Sequence, residues 1–189
     1  MSGIKRLFLA VNVPPWLKDK ISEELLPSVH KTSLKPVGKE NLHLTLLFLG
    51  ATPEENIPGI NEKLKGISFE PFTVKLKGFS HFNARVLFIA AEKGADEIIS
   101  LSRKINSALG KNEKCDAHLT VARNKGMQKK EFLEILDLLN KKGFEAEFEV
   151  ISFELMESLL SKKGPEYSVV HAFSASSPKT SLSSSLGLV

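Results

Sequence analysis

The sequence predicts an α+β fold of two pseudo-symmetric lobes, made of largely antiparallel sheet with helices outside. Strand-like alternation comes in hairpins, and helical periodicities recur between them, a mixture that belongs to α+β architectures. The order of elements also repeats: strand, helix, strand, helix, hairpin, then helix, strand, helix, hairpin. Finally, the triplet His43-Leu44-Thr45 returns word for word as His118-Leu119-Thr120, one copy per half, each in a strand that follows a helix and a loop and precedes a helix.

The elements follow in order. RLFLAVNV, Arg6–Val13, reads as a strand. Pro14 and Pro15 then open a helix, where proline is tolerated. Leu17, Ile21, Leu25 and Val29 recur at four-residue spacing and give it one apolar face. SLKPVGKE is a short extended piece and a turn, and NLHLTLLFLG, Asn41–Gly50, is an apolar strand. Thr52 and Glu55 have capping-box spacing, but Pro58 argues against a regular first turn. Ile60, Leu64 and Ile67 mark a short helix ending near Gly66. Phe72–Phe79 alternates, SHFNA turns, and Arg85–Ala91 returns as the second arm of a hairpin. Ile98, Leu101, Ile105 and Leu109 mark a helix with Gly110 as its C-cap. DAHLTVAR is a strand, ended by NKG. Phe132, Ile135, Leu136 and Leu139 mark the last helix, whose C-terminal dipole suits Lys141 and Lys142 before Gly143. FEAEFEVISFELMES and EYSVVHAFSA read as a pair of long strands. Residues 1–174 form one bilobal domain on this reading, and the serine-rich stretch 175–189 is expected to be a mobile tail.

Composition narrows the function classes. Apolar residues make up 42% and charged residues 25%, ordinary for a globular chain. No apolar run reaches the length of a membrane span. The start of the chain is short for a signal peptide and lacks a small-residue cleavage site. Cys115 is the only cysteine, which excludes an intrachain disulfide and a multi-thiolate metal site and fits a reducing cytoplasm. Between Lys111 and Lys130, six basic residues stand against Glu113 and Asp116, and the remaining +4 equals the net charge of the whole chain. That permits a polyanionic partner; a solvated lysine-rich surface is the alternative.

The repeated triplet carries the chemistry. Residues i and i+2 of a strand share a face, so His43 lies with Thr45 and His118 with Thr120. If the two strands lie side by side near a local dyad, two imidazoles and two hydroxyls converge on one cleft; otherwise they are two hydrogen-bonded core pairs. Imidazole titrates near pH 6.5, so one histidine can act as base and the other as acid. Two such groups with neutral donors suit phosphodiester cleavage: one activates water, one protonates the leaving ribose oxygen, and the threonines with a nearby cation hold the non-bridging oxygens. A zinc site normally takes further ligands at short spacing, which neither triplet supplies, so no metal is expected.

These motifs resemble the two-histidine phosphoesterase superfamily, and within it the RNA 2′,3′-cyclic phosphodiesterases, also called 2′–5′ RNA ligases. The likeness runs to about Phe173. RLFLAVNVPP resembles that family's first strand, ENLHLTLLFLG its first motif, AHLTVAR its second with Arg123 after Thr120, and MESLLSKKGPEYSVVHAF its closing hairpin. Two positions depart: LKPV stands where an aromatic residue is common, and Ala117 where proline usually precedes the second histidine. The resemblance implies a cleft between the lobes and metal-independent, cofactor-free hydrolysis of a ribonucleoside 2′,3′-cyclic phosphate to a 2′-phosphate. His43 would be proton donor and His118 proton acceptor, with Thr45, Thr120 and Arg123 on the phosphate. The implied partner is RNA with a cyclic phosphate end, transfer-RNA halves included, acted on by a monomer without membrane attachment. Ligation through a 2′–5′ bond, with a ribose hydroxyl attacking in place of water, is a second activity open to the same site. A module that binds RNA ends or nucleotides without turnover is the competing class, and the two intact triplets argue against it.

Some side chains are ambiguous in sequence. Strict alternation turns Arg123 away from His118 and Thr120, although Asn124-Lys125-Gly126 signals a strand end where alternation can break. Phe48 is either core or a platform for an unpaired base. Arg85 resembles a family arginine and belongs either to the cleft or to the surface. His30, His81 and His171 lack a threonine at i+2 and read as loop or strand histidines.

Overall fold

The computed structural model describes residues 3–29, 32–161 and 164–176. They form β1 (Ile4–Asn12), α1 (Pro15–Val29), β2 (Leu34–Pro36), β3 (His43–Pro53), α2 (Ile57–Lys65), β4 (Phe72–Phe82), β5 (Val86–Lys93), α3 (Ala95–Leu109), β6 (His118–Asn124), α4 (Lys129–Lys142), β7 (Glu145–Val150), β8 (Ser152–Ser161) and β9 (Gly164–Ser174). The strands make one nine-stranded sheet in the order β7-β4-β5-β6-β3-β1-β8-β9, with β2 added against β6. All pairings among the described residues are antiparallel. The two lobes are halves of this sheet, joined where β3 meets β6. On either side of the joint, β1 flanks β3 as β5 flanks β6.

Hydrophobic patterning puts the helices on one face. Leu17, Ile21, Leu25 and Val29 of α1, Leu64 of α2, Ile98, Leu101 and Ile105 of α3, and Phe132 and Leu139 of α4 share one core with Leu7, Leu9, Val11, Leu44 and Leu119 of the sheet. Each fully buried side chain of this kind stabilises the packing by about 1.5–3 kcal/mol. A second, small cluster of Phe8, Ala10 and Met156, with Tyr167 packed on it, occupies the other face. No helix contributes to it among the described residues. The described sheet therefore has a helix-covered face and a helix-free face.

Three expected elements differ. FEAEFEVISFELMES is not one strand. It breaks at Ile151, which is 58% exposed, into β7 on β4 and β8 on β1, in opposite halves of the sheet. Burial alternates through Ala146, Phe148 and Val150, then becomes continuous from Phe153 to Met156, because β8 lies against both clusters. β3 runs past Gly50, whose φ of +72° accommodates the irregularity, to Pro53. Thr52 is thus a strand residue donating its hydroxyl to the Gly50 carbonyl (3.2 Å), not a helix cap. In the hairpin, β4 continues to Phe82, the turn is Asn83–Arg85 with Asn83 and Ala84 at φ of +50° and +51°, and β5 begins at Val86. The expected mobile tail lies outside the described residues from position 177 onward, as does His30. No described helix is long and apolar enough to cross a membrane.

Candidate active site

β3 and β6 meet at one registered pair, Leu44 opposite Leu119. Both leucines are 0% exposed and belong to the helix-side core. Side chains alternate, so His43, Thr45, His118 and Thr120 all face the helix-free side, half-buried. Extended by one residue each way, the register sets His43 across from Thr120 and Thr45 across from His118. The convergence expected from the triplets is therefore a direct product of strand pairing.

Just past its motif threonine, each motif strand then carries one residue too many. On β3, Thr45 pairs with Ala10 and Leu47 with Leu9, leaving Leu46 without a counterpart. On β6, Thr120 pairs with Phe88 and Ala122 with Leu87, leaving Val121 without one. Such a bulge shifts the alternation by one. Phe48, opposite Phe8, and Arg123, opposite Val86, thereby join the face of the motif residues. Both stand three positions after the motif threonine. Arg123 is exposed and Phe48 is 68% exposed, so Phe48 is no core residue. The strand does not end at Arg123, as NKG suggested; the bulge at Val121 is what turns the guanidinium round.

The imidazoles are held alike. His43 Nδ1 lies 2.6 Å from the Asn41 carbonyl, and His118 Nδ1 lies 2.7 Å from the Asp116 carbonyl. A carbonyl only accepts, so Nδ1 carries the hydrogen and Nε2 is the atom that gains or loses a proton. Thr45 Oγ1 is 3.0 Å from His43 Nε2 and donates to it in the neutral state. Aromatic rings wall each histidine: Phe8 at 5.0 Å and Tyr167 at 5.4 Å from His43, Phe82 and Phe88 both at 5.0 Å from His118. Burial lowers the pKa of His43 to about 4, opposed by the Asn41 carbonyl and assisted by the charges of His118, Lys18 and Arg123. Burial also lowers the pKa of His118, opposed by the Asp116 carbonyl and carboxylate and assisted by Arg123. Arg123 thus acts on both rings, and the free site holds two neutral imidazoles near pH 7.

Behind the site are residues that sequence patterns do not single out. The Ser102 hydroxyl of α3 donates to the Leu46 carbonyl at 2.7 Å, at the bulge of β3. The Cys115 thiol donates to the Thr45 carbonyl at 3.4 Å, and burial raises its pKa, as for an unreactive structural thiol. Asn106 donates to the Ser102 carbonyl at 2.9 Å and to the Glu113 carbonyl at 3.3 Å, tying α3 to the loop that leads into His118. On β1, Asn12 pairs with His43, and buried Glu154 accepts from the Asn12 backbone at 3.2 Å and from the Ser152 hydroxyl at 2.5 Å. His81 and His171 are strand residues packed on Phe132 and Phe173. Among the described residues, no three of His, Cys, Asp or Glu come together in a group able to hold a metal ion.

This arrangement supplies two acid–base atoms, two hydroxyls and a guanidinium around a space open to solvent, a set suited to acid–base chemistry on a phosphate ester. Residues 18–88 match the family described as LigT like Phosphoesterase. The chain is 35% identical over 182 residues to an RNA 2′,3′-cyclic phosphodiesterase of Archaeoglobus fulgidus, covering 89% of this chain and 99% of that one. It is 30% identical over 175 residues to the protein of the same name from Methanocaldococcus jannaschii, covering 87% and 98%. The solved structure of TT0787 of Thermus thermophilus superposes with a TM-score of 0.73 at 30% identity, covering 89% of this chain and 97% of that one. The ligand-free structure of Escherichia coli LigT does so with a TM-score of 0.77 at 20% identity, covering 93% and 100%, a likeness of fold.

Proposed function

Because the chain belongs to the LigT-like phosphoesterase family, we propose that it hydrolyses the 2′,3′-cyclic phosphate at an RNA end to a 2′-phosphate, with His43 and His118 as the acid–base pair. The observation that carries this reading is the matched pair of imidazoles. Each is locked through Nδ1 to a carbonyl two residues earlier, on two strands that pair at Leu44 and Leu119.

His118 Nε2 takes a proton from water as the water oxygen bonds to phosphorus. The bond from phosphorus to the ribose 3′ oxygen breaks, and protonated His43 delivers its Nε2 proton to that oxygen. Thr45, Thr120 and Arg123 hold the non-bridging oxygens and balance the charge that gathers there, the contribution expected of preorganised donors. His43 begins neutral, and the anionic substrate supplies the opposite charge that raises its affinity for a proton. Acid, base and cation are all side chains, so these steps need no metal, and rates should be unchanged in chelator. Phe48 offers its open ring to the terminal base. With a 5′-hydroxyl in place of water as the nucleophile, the same steps join two ends by a 2′–5′ bond. RNA fragments such as transfer-RNA halves present the required end.

The test separates the two histidines by leaving group. With an oxygen leaving group, His43→Ala and His118→Ala should each lose about 10²–10⁴-fold in kcat. With sulfur in place of the 3′ oxygen, departure needs no proton, so His43→Ala should recover while His118→Ala stays slow. Wild-type rates in both variants on the oxygen substrate would end the proposal, and recovery of His118→Ala alone would exchange the roles.

A further inference from the structure

We infer that the cavity beside Arg123 is a second phosphate subsite, holding a backbone phosphate of the same RNA strand whose end reacts, so that the protein selects polynucleotide ends over single nucleotides. The inference rests on the proposed function for its RNA chemistry. The cavity, about 710 Å³, lies between the β4–β5 hairpin tip and the run from the end of β6 into α4. Its volume is that of a site for a whole small ligand. Arg85, Arg123, Lys125 and Lys129 line it, and no acidic residue does. Some lysines elsewhere have carboxylate partners, as Lys75 does with Glu145 and Lys5 with Glu157. Among the described residues, none of these four cations makes an ion pair. Uncompensated cations around one concavity raise the local concentration of anions.

The wall is built rather than incidental. Asn124 ties its two sides together: its backbone N–H donates to the Arg85 carbonyl at 2.8 Å, and its amide donates to the carbonyls of Ala84 and Met127, each at 2.9 Å. Its side-chain oxygen accepts from the N–H groups of Gly126 and Met127 at 3.0 and 2.8 Å. This network holds the tip in place although Ala84 sits at φ +51°, a region alanine rarely visits.

Position gives the ligand its direction. Arg123 belongs both to the cavity and, through the bulge at Val121, to the face of His118 and Thr120. The cavity therefore opens where the reacting site ends, roughly 10 Å along β6 from Thr120. A 2′,3′-cyclic phosphate is the last phosphate of its strand, so all the others lie on its 5′ side. Aromatic Phe48 occupies the pseudo-symmetric position of Arg123, which leaves the basic side for the departing chain.

The experiment compares a mononucleoside 2′,3′-cyclic phosphate with an oligoribonucleotide bearing the same end. The substitutions are Arg85→Ala, Lys125→Ala and Lys129→Ala together. On the oligonucleotide, kcat/KM should fall about tenfold or more through KM, and the slope of log(kcat/KM) on log salt should shrink by about 2, near 0.7 per lost phosphate contact. Mononucleotide hydrolysis should stay within about twofold. Equal losses on both substrates, or none on either, would overturn the subsite. Stimulation or inhibition of mononucleotide turnover by an unreactive RNA that depends on these three residues would instead assign the cavity to a separate strand. Anisotropy with a labelled oligonucleotide ending in a 2′-phosphate reads the subsite without turnover. If wild type hydrolysed neither substrate, the proposed reaction would fail, while about tenfold weaker binding by the triple variant would still support the subsite and unchanged binding would overturn it.

Discussion

Leu44 lies opposite Leu119, both fully buried, and the pseudo-twofold of the sheet passes between them. The backbone treats the two histidines alike: each has the same carbonyl partner at i−2, a pair of flanking rings and a bulge downstream. Their chemical difference comes from what stands nearby. Phe48 follows one motif and Arg123 the other, and Lys18 adds its charge only at His43.

That difference governs pH dependence. Both histidines ionise below 6.5 in the free protein, and kcat/KM reports free-enzyme groups. The kcat/KM profile should peak below pH 6.5. Because Arg123 lowers both values, Arg123→Ala should move the peak to higher pH while reducing its height. A peak above pH 7 in wild type would contradict this account.

Folding stability should carry the same signature. Between about pH 4 and 6.5 the unfolded chain protonates His43 and the native chain does not. More protons are then bound to the unfolded state, so stability falls as pH falls through this window, by roughly 3 kcal/mol for this one group. Glu154, whose pKa burial raises, works in the opposite sense, but it is common to wild type and variant. Urea unfolding at pH 7 and pH 4.5 should therefore give a smaller acid loss for His43→Asn than for wild type.

Ser102 is expected to matter although it touches no substrate. Ser102→Ala leaves the carbonyl at the β3 bulge without its donor, a loss of about 1–3 kcal/mol. Denaturant midpoints should fall accordingly, and kcat should fall with them as Thr45 and Phe48 lose their fixed register. Full stability in Ser102→Ala would show that the bulge holds without α3.

Phe48→Ala is expected to behave in the opposite way. An exposed ring contributes little to folding, within about 0.5 kcal/mol, but stacking on a base is worth about 1–3 kcal/mol. KM should rise roughly 5- to 150-fold at nearly constant kcat, most for purine ends. Unchanged KM would remove the ring from the substrate site.

What sequence reading reached, and what escaped it, follows from range. The triplets name His43, Thr45, His118 and Thr120 because alternation is a property of two neighbouring residues. The α1 and α3 faces were legible for the same reason, from Leu17 to Val29 and from Ile98 to Ile105. Arg123 was legible as a residue type but not as a direction, since its bulge exists only against β5. Phe8, Phe82, Phe88 and Tyr167 converge on the histidines from four separate strands. Ser102 acts through a carbonyl 56 positions away in the chain. The division at Ile151 was hidden because both sides of it have strand-like composition.

The unpaired residues Leu46 and Val121 give the site something like a reading frame. Paired regularly, with neither residue left out of the ladder, each strand would return the downstream residue to the opposite face, carrying Phe48 or Arg123 out of the cleft while every motif letter stayed intact. A relative could keep both His-x-Thr triplets and still be silent, its loss written in strand pairing rather than in identity. Family membership judged by motif alone would miss such a frameshift, and the cross-strand partner of the third residue after each threonine is the place to look.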